Sequence, residues 1–222
     1  MRALRMLGSS VGTKLLLGLT GLALFGFLIF HLAGNLLAFF GPGSYNEHAH
    51  TLISNPLIVP AELGLVAIFL THIFKAIANY RHNRAARPVA YGIKKNAGGA
   101  SRKSLASSTM LWTGLIVLLF VLIHLRLFKY GPVYLEAGSN YRDLYRLLID
   151  DFRNPGIVVG YVLAMFFLGM HLRHGITSSI QSLGLMPESW TSRILRGGIV
   201  LALVIAGLFA VIPIAVYFGA IR

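Results

Sequence analysis

The sequence predicts an all-α integral membrane bundle of five transmembrane helices, and three observations predict it. The chain of 222 residues is 56% hydrophobic and only 12% charged, with a mean hydropathy of +0.71, far outside the range of soluble domains. Five separate apolar runs reach the roughly 20 residues needed to cross a hydrocarbon core. The 20 Lys and Arg, set against 7 Asp and Glu for a formal charge of +13, sit mostly in the connections between those runs. A nucleic-acid partner would call for an independent basic face instead, so lipid is the expected environment and nucleic acid is not. There are no cysteines, which excludes disulfides, thiolate-bound iron–sulfur clusters and cysteine-attached haem in this chain. Any metal must be held by nitrogen or oxygen.

The N-terminal MRALRMLGSSVGTK is basic and precedes the first apolar run, Leu15 to Phe40. That run is too long for a signal peptide, ends without an A-x-A-like site and is followed by four more. The second run, Leu57 to Tyr80, has Pro56 at its start, where a missing N–H costs nothing, and Pro60, expected to bend it. The third extends from Thr109 to Phe128 and the fourth from Gly156 to Ile180, with Pro155 at its start. The fifth, Ile194 to Phe218, has no histidine and no charge between Arg196 and Arg222; it closes the bundle, with Pro213 as a second expected bend. No linker, low-complexity tract or internal repeat divides the chain, so residues 1–222 read as a single domain.

The connections set an orientation. Between the second and third runs stand Arg81, Arg84, Arg87, Lys94, Lys95, Arg102 and Lys103 with no acid, which the positive-inside rule places in the cytoplasm. The first connection has Glu47 and no Lys or Arg and faces outward, as does the mixed-charge stretch before Pro155. The N-terminus is then inside and the C-terminus outside. Tyr80, Trp112, Tyr130, Trp190 and Tyr217 lie near the expected helix ends, where amphipathic rings favour the headgroup layer.

Each of the first four runs carries one histidine in its interior: His31, His72, His124 and His171. Polar groups at that depth need a partner. All four come late in their helices. The first and third helices run outward, so His31 and His124 fall in the outer half; the second and fourth run inward, so His72 and His171 fall in the inner half. Neutral imidazole is a strong axial ligand for haem iron, and two on facing helices complete a six-coordinate electron-transfer site. The layers pair His31 with His124 at an outer haem b and His72 with His171 at an inner one. Gly34, Gly114 and Gly169 could let a flat macrocycle approach the backbone. The alternative is helix-to-helix hydrogen bonding or a proton path. His48, His50 and His82 fall in connections. His174 is one turn from His171 on the same face and is the rival ligand, with a propionate or a quinone as its other possible partner.

At these residues the chain resembles the cytochrome b membrane subunit of succinate dehydrogenase and fumarate reductase, in its five-helix, two-haem, single-anchor form. The resemblance covers nearly the whole chain and is carried by SSVGTKLLLGLTGLALFGFLIFHLAGN, by YNEHAH, by ASRKSLASSTMLWTGLIVLLFVLIHLRLF and by MHLRHGITSSIQSLG, in that order. It implies the same four haem ligands; members without a second histidine at the position of His174 favour leaving that residue off the iron. It further implies a bacterial cytoplasmic membrane and two partners docked on its cytoplasmic side, an iron–sulfur subunit and an FAD-containing flavoprotein. The succinate chemistry belongs to the partners. Electrons would pass from the iron–sulfur subunit through the inner and outer haems to a quinone, menaquinone in this type. The basic connection would be either a docking surface or topology alone.

Haem propionates need donors near the membrane surface. For the inner haem the candidates are Ser107, Ser108, Lys75 and Arg173; for the outer, Arg126. Lys75 and Arg173 lie within about a turn of His72 and His171, and snorkelling to headgroups is their alternative. Quinone reduction also takes up protons, and Glu62 is the one acid within an expected span. Desolvation could fit it for proton transfer; an interfacial carboxylate at a helix start is the competing reading. Glu47 and His50 are secondary proton-path candidates. Two further classes stay open: the cytochrome b subunit of another dehydrogenase, and a haem-free transporter or proton channel, although neither inverted repeats nor matched broken helices are found.

Overall fold

The computed structural model describes residues 9–86 and 108–222. Within them five helices are long and apolar enough to cross a membrane, and the protein is a multi-pass membrane protein. In chain order the helices are α1 (Ser10–Leu36), α2 (Pro42–Ile53), α3 (Ile58–Ala85), α4 (Met110–His124), α5 (Leu144–Phe152), α6 (Pro155–Ser182) and α7 (Thr191–Tyr217). The long ones are α1, α3, α4, α6 and α7. Ser107, Arg87, Lys94, Lys95, Arg102 and Lys103 lie outside the described residues.

Local chemistry fixes the ends. Ser9 caps α1 by accepting from Gly12 N at 3.1 Å. Asn154 caps α6 by accepting from Gly156 N at 2.9 Å, with Pro155 at the first helical position. Pro56 sits in the turn closed by Ile58 N donating to Asn55 O at 2.9 Å, two residues ahead of the helix it was expected to open. Pro60 stands in the first turn of α3, where its missing donor is one that the helix leaves unpaired anyway; it has no reason to bend the helix. Pro213 lies inside α7. His82, expected in a connection, belongs to the last turn of α3. The third span continues past α4 in a wider turn, Leu125–Lys129, closed by Tyr130 N donating to Leu125 O at 2.9 Å.

Helix α6 is central: it packs against α1, α4 and α7, while α3 leans mainly on α1. Leu32, Met165, Leu168, Leu172, Ala202 and Ile205 form the middle of the core. The outer surface of the bundle is apolar, with Phe30 at 80% and Phe74 at 66% exposure. Such a surface would drive association in water and suits contact with acyl chains.

Two short helices cover one end, called here the capped end. They fill connections that the hydropathy pattern left as loops. Asn46 of α2, 1% exposed, donates to Asp143 Oδ1 at 2.9 Å and accepts from Tyr145 N at 2.9 Å, clasping α2 to the start of α5. Asp143 Oδ1 also caps α5 by accepting from Arg146 N at 2.9 Å. Tyr145 donates to the carbonyl of Arg222 at 2.7 Å, tying the C-terminus to the same cap. Tyr45 donates to Asn35 Oδ1 at 3.2 Å, and burial pushes its phenol up to about 12, so it stays protonated at neutral pH.

Candidate functional site: two histidine pairs

The four interior histidines meet in pairs. Near the capped end His31 of α1 and His124 of α4 stand with ring centres 5.7 Å apart and planes at 86°. Toward the opposite end His72 of α3 and His171 of α6 stand 6.4 Å apart at 70°. Two imidazoles bound on opposite sides of one metal through bonds of about 2 Å have ring centres about 6 Å apart; both pairs lie close to that spacing. Each layer offers two ligands, and no group of three or more His, Asp or Glu gathers among the described residues. A bare ion held by protein alone needs three or four donors, whereas a porphyrin supplies four itself and asks the protein for two. The donor count therefore fits haem better than a naked metal ion.

Hydrogen bonds orient the rings. His72 Nδ1 lies 3.2 Å from Thr20 Oγ1 of α1, His171 Nδ1 lies 3.3 Å from Thr113 Oγ1 of α4, and His124 Nδ1 lies 3.1 Å from the Tyr161 hydroxyl of α6. In these three histidines Nδ1 is the nitrogen engaged. His31 differs: Asn35 Nδ2 donates to the His31 carbonyl at 2.8 Å and lies 3.4 Å from His31 Nε2. Phe209 of α7 flanks His31 at 5.9 Å between ring centres, so the closing helix also walls this layer.

A cavity of about 430 Å³ opens beside His72 away from the capped end, bordered by His174, Asn79, Asn83, Ser108, Ser178 and Ser182. Its size is that of a ligand pocket. Ser108 and His174 therefore reach the site, and His174 shares a wall with His72 rather than completing a pair. Asn79 and Asn83 carry no motif signal in the sequence, and Ser182 stands in the MHLRHGITSSIQSLG stretch without being singled out; the packing of α3 and of α6 against α1 brings them together. Lys75 is half-buried one turn beyond His72, whereas Arg173 is exposed and does not line the cavity. Arg126 is exposed and donates to the carbonyl of Tyr130 at 3.1 Å, which turns it along its own helix end. Glu62, near the capped end of α3, forms an ion pair with Lys129. It is half-exposed and does not border the cavity beside His72. A second, apolar cleft of about 400 Å³ runs between α4 and α6 beside Phe120, Ile123 and Tyr161.

The glycines divide by task. A methyl at position 114 would stand 3.2 Å from His171 Cε1, so Gly114 does make room at a histidine. Gly34 instead accommodates His48, whose Nε2 would be 2.8 Å from such a methyl, and Gly169 accommodates Ala206 at 3.1 Å. Of His48 and His50, the first packs on α1 and the second stacks on Tyr141 with ring centres 3.6 Å apart. Asp151 of α5 is a half-buried acid that the hydropathy pattern did not single out: its Oδ2 is shut from the surface without a hydrogen-bond partner among the described residues. Burial, then the neighbouring Asp150, raises its carboxyl above the usual 3.8.

Comparison with protein-family models, with curated proteins and with solved structures finds no match to this chain.

Proposed function

We propose that the chain is the membrane-anchor cytochrome b subunit of a succinate:quinone oxidoreductase, carrying electrons across the bilayer between an iron–sulfur partner and a membrane quinone. The observation that supports this reading most is the pairing of four imidazoles at two levels, with ring centres 5.7 and 6.4 Å apart. When bound, two haem b groups supply one-electron redox chemistry, one at each level. His72 and His171 would hold the inner group and His31 and His124 the outer one. Thr20, Thr113 and Tyr161 keep three of the imidazoles in place through Nδ1. The cavity beside His72 gives Ser108, Asn79 and Asn83 access to carboxylates at the inner edge of the site. The apolar flanks exclude water from the path between the levels, which favours electron transfer without reorganising solvent.

In this reading the end of α3 bearing Arg81 and Arg84 is cytoplasmic, and the basic connection that follows meets the iron–sulfur and flavoprotein subunits. The capped end faces outward. Quinone, menaquinone by the resemblance, would be reduced near the outer pair, with Glu62 and its partner Lys129 as the ionisable groups at that level.

The test is a dithionite-reduced minus oxidised spectrum with a pyridine haemochrome assay on the purified chain in its membrane complex. Two b haems per polypeptide are expected, falling to one in His31→Ala and to one in His72→Ala. Absence of haem in the wild-type protein sinks the proposal and leaves the histidines as hydrogen-bonding or proton-path residues.

A further inference from the structure

We infer that two Thr-Gly dipeptides, Thr20-Gly21 on α1 and Thr113-Gly114 on α4, are matched seats that hold His72 and His171 in the Nδ1-protonated tautomer, keeping Nε2 of each bare for a ligand. The consequence for haem rests on the function proposed above; the geometry of the seats does not.

A threonine hydroxyl has one hydrogen to give. Thr20 gives it to the backbone, with the Leu16 carbonyl at 2.7 Å and the Leu17 carbonyl at 3.2 Å. Thr113 gives its own to the Met110 carbonyl at 3.1 Å. Toward the imidazoles, at 3.2 and 3.3 Å, each oxygen can then only accept, so Nδ1 must carry the hydrogen. A neutral imidazole has a single N–H, which leaves Nε2 with its lone pair.

The glycine after each threonine completes the seat. A methyl at position 21 would stand 3.4 Å from His72 Cε1 and 3.0 Å from Ser179 Oγ, and one at position 114 would stand 3.2 Å from His171 Cε1. Both seats read Thr-Gly-Leu in sequence, lie on different helices and serve histidines on two others. A ligating histidine characteristically donates its second N–H to a fixed acceptor, which sets the tautomer and raises the basicity of the ligand nitrogen. The seats meet that requirement for both members of the inner pair.

The experiment uses the full chain. In protein expressed under haem limitation, ¹⁵N NMR of labelled histidine reads the tautomer directly, with His72 and His171 assigned by their single replacements. Both are expected as Nδ1–H in the wild type and as mixed or Nε2–H tautomers in Thr20→Val and Thr113→Val respectively, with Thr20→Ser and Thr113→Ser retaining the wild-type state. In haem-loaded protein each Val variant is expected to raise the potential of the inner haem, leave the outer haem unchanged and weaken inner-haem retention roughly tenfold. Nε2–H histidines in the wild type, or Val variants that match it in both tautomer and potential, overturn the seats while a two-haem spectrum still stands. A wild type that binds no haem but loses Nδ1–H on threonine replacement overturns the proposed function and upholds the seats.

Discussion

Tyr161 is buried at 8% exposure, and its hydroxyl meets His124 Nδ1 at 3.1 Å while its ring packs on Phe120 and Phe152. Replacing it with phenylalanine keeps the ring and removes only the imidazole's partner. Tyr161→Phe should therefore cost about 1 kcal/mol of stability and, on the function proposed above, change the potential of the outer haem alone; a variant with both potentials unchanged would remove Tyr161 from the site. Asp151 allows a second residue-level prediction, of pH dependence. Its folded-state carboxyl is raised above 3.8 by burial and then by Asp150, so the native chain holds this proton at pH values where the unfolded chain has released it. Stability from this group is present below the unfolded value and lost as pH rises through the folded one. Asp151→Asn should flatten the acid-side slope of thermal stability and leave the melting temperature at pH 7 equal to or above that of the wild type, measured by melting in detergent across pH.

At the scale of the helices, small residues decide how closely α6 and α7 approach. Gly198 of α7 faces Thr177 of α6 so tightly that an added methyl would stand 2.6 Å from Thr177 Cγ2, whereas nothing lies within 4 Å of such a methyl at Gly207. Gly198→Ala must push the helices apart and should cost about 1–3 kcal/mol. Gly207→Ala meets open space and should be neutral or gain up to about 1 kcal/mol from helix propensity. Thermal melting of the two variants side by side checks the packing, and equal melting temperatures would contradict it. Glycine in these helices thus serves three ends: helix contact at Gly169 and Gly198, a seat for a histidine at Gly21 and Gly114, and accommodation of the cap at Gly34.

For the whole molecule, sidedness has a direct test, because the chain has no cysteine of its own. Ser44→Cys in α2 and Ala85→Cys at the end of α3 place single exposed thiols at opposite ends of the bundle. A membrane-impermeant maleimide applied to intact cells should label Ser44→Cys and reach Ala85→Cys only after permeabilisation; the reverse pattern overturns the orientation. The five spans, their approximate ends and the two levels of histidine were legible in the residues, because length, hydropathy and position along a helix of fixed rise are local properties. The tyrosine and tryptophan positions near helix ends were legible for the same reason. The partners were not. Thr20 meets His72 across 52 residues, Thr113 meets His171 across 58 and Tyr161 meets His124 across 37, and no local periodicity encodes which helix lies beside which. The cap escaped notice because α2 and α5 are short and amphipathic, and bury polar groups such as Asn46 that a hydropathy window counts as loop. Arg126 bonds the Tyr130 carbonyl four residues along its own chain, whereas Glu62 meets Lys129 across a tertiary contact that its sequence neighbours do not encode. Five membrane-crossing helices with imidazoles at two depths follow from the residues alone, since transfer from water to hydrocarbon acts on each segment separately. Which side chains meet those imidazoles depends on the order in which the helices pack, and no single segment carries that order.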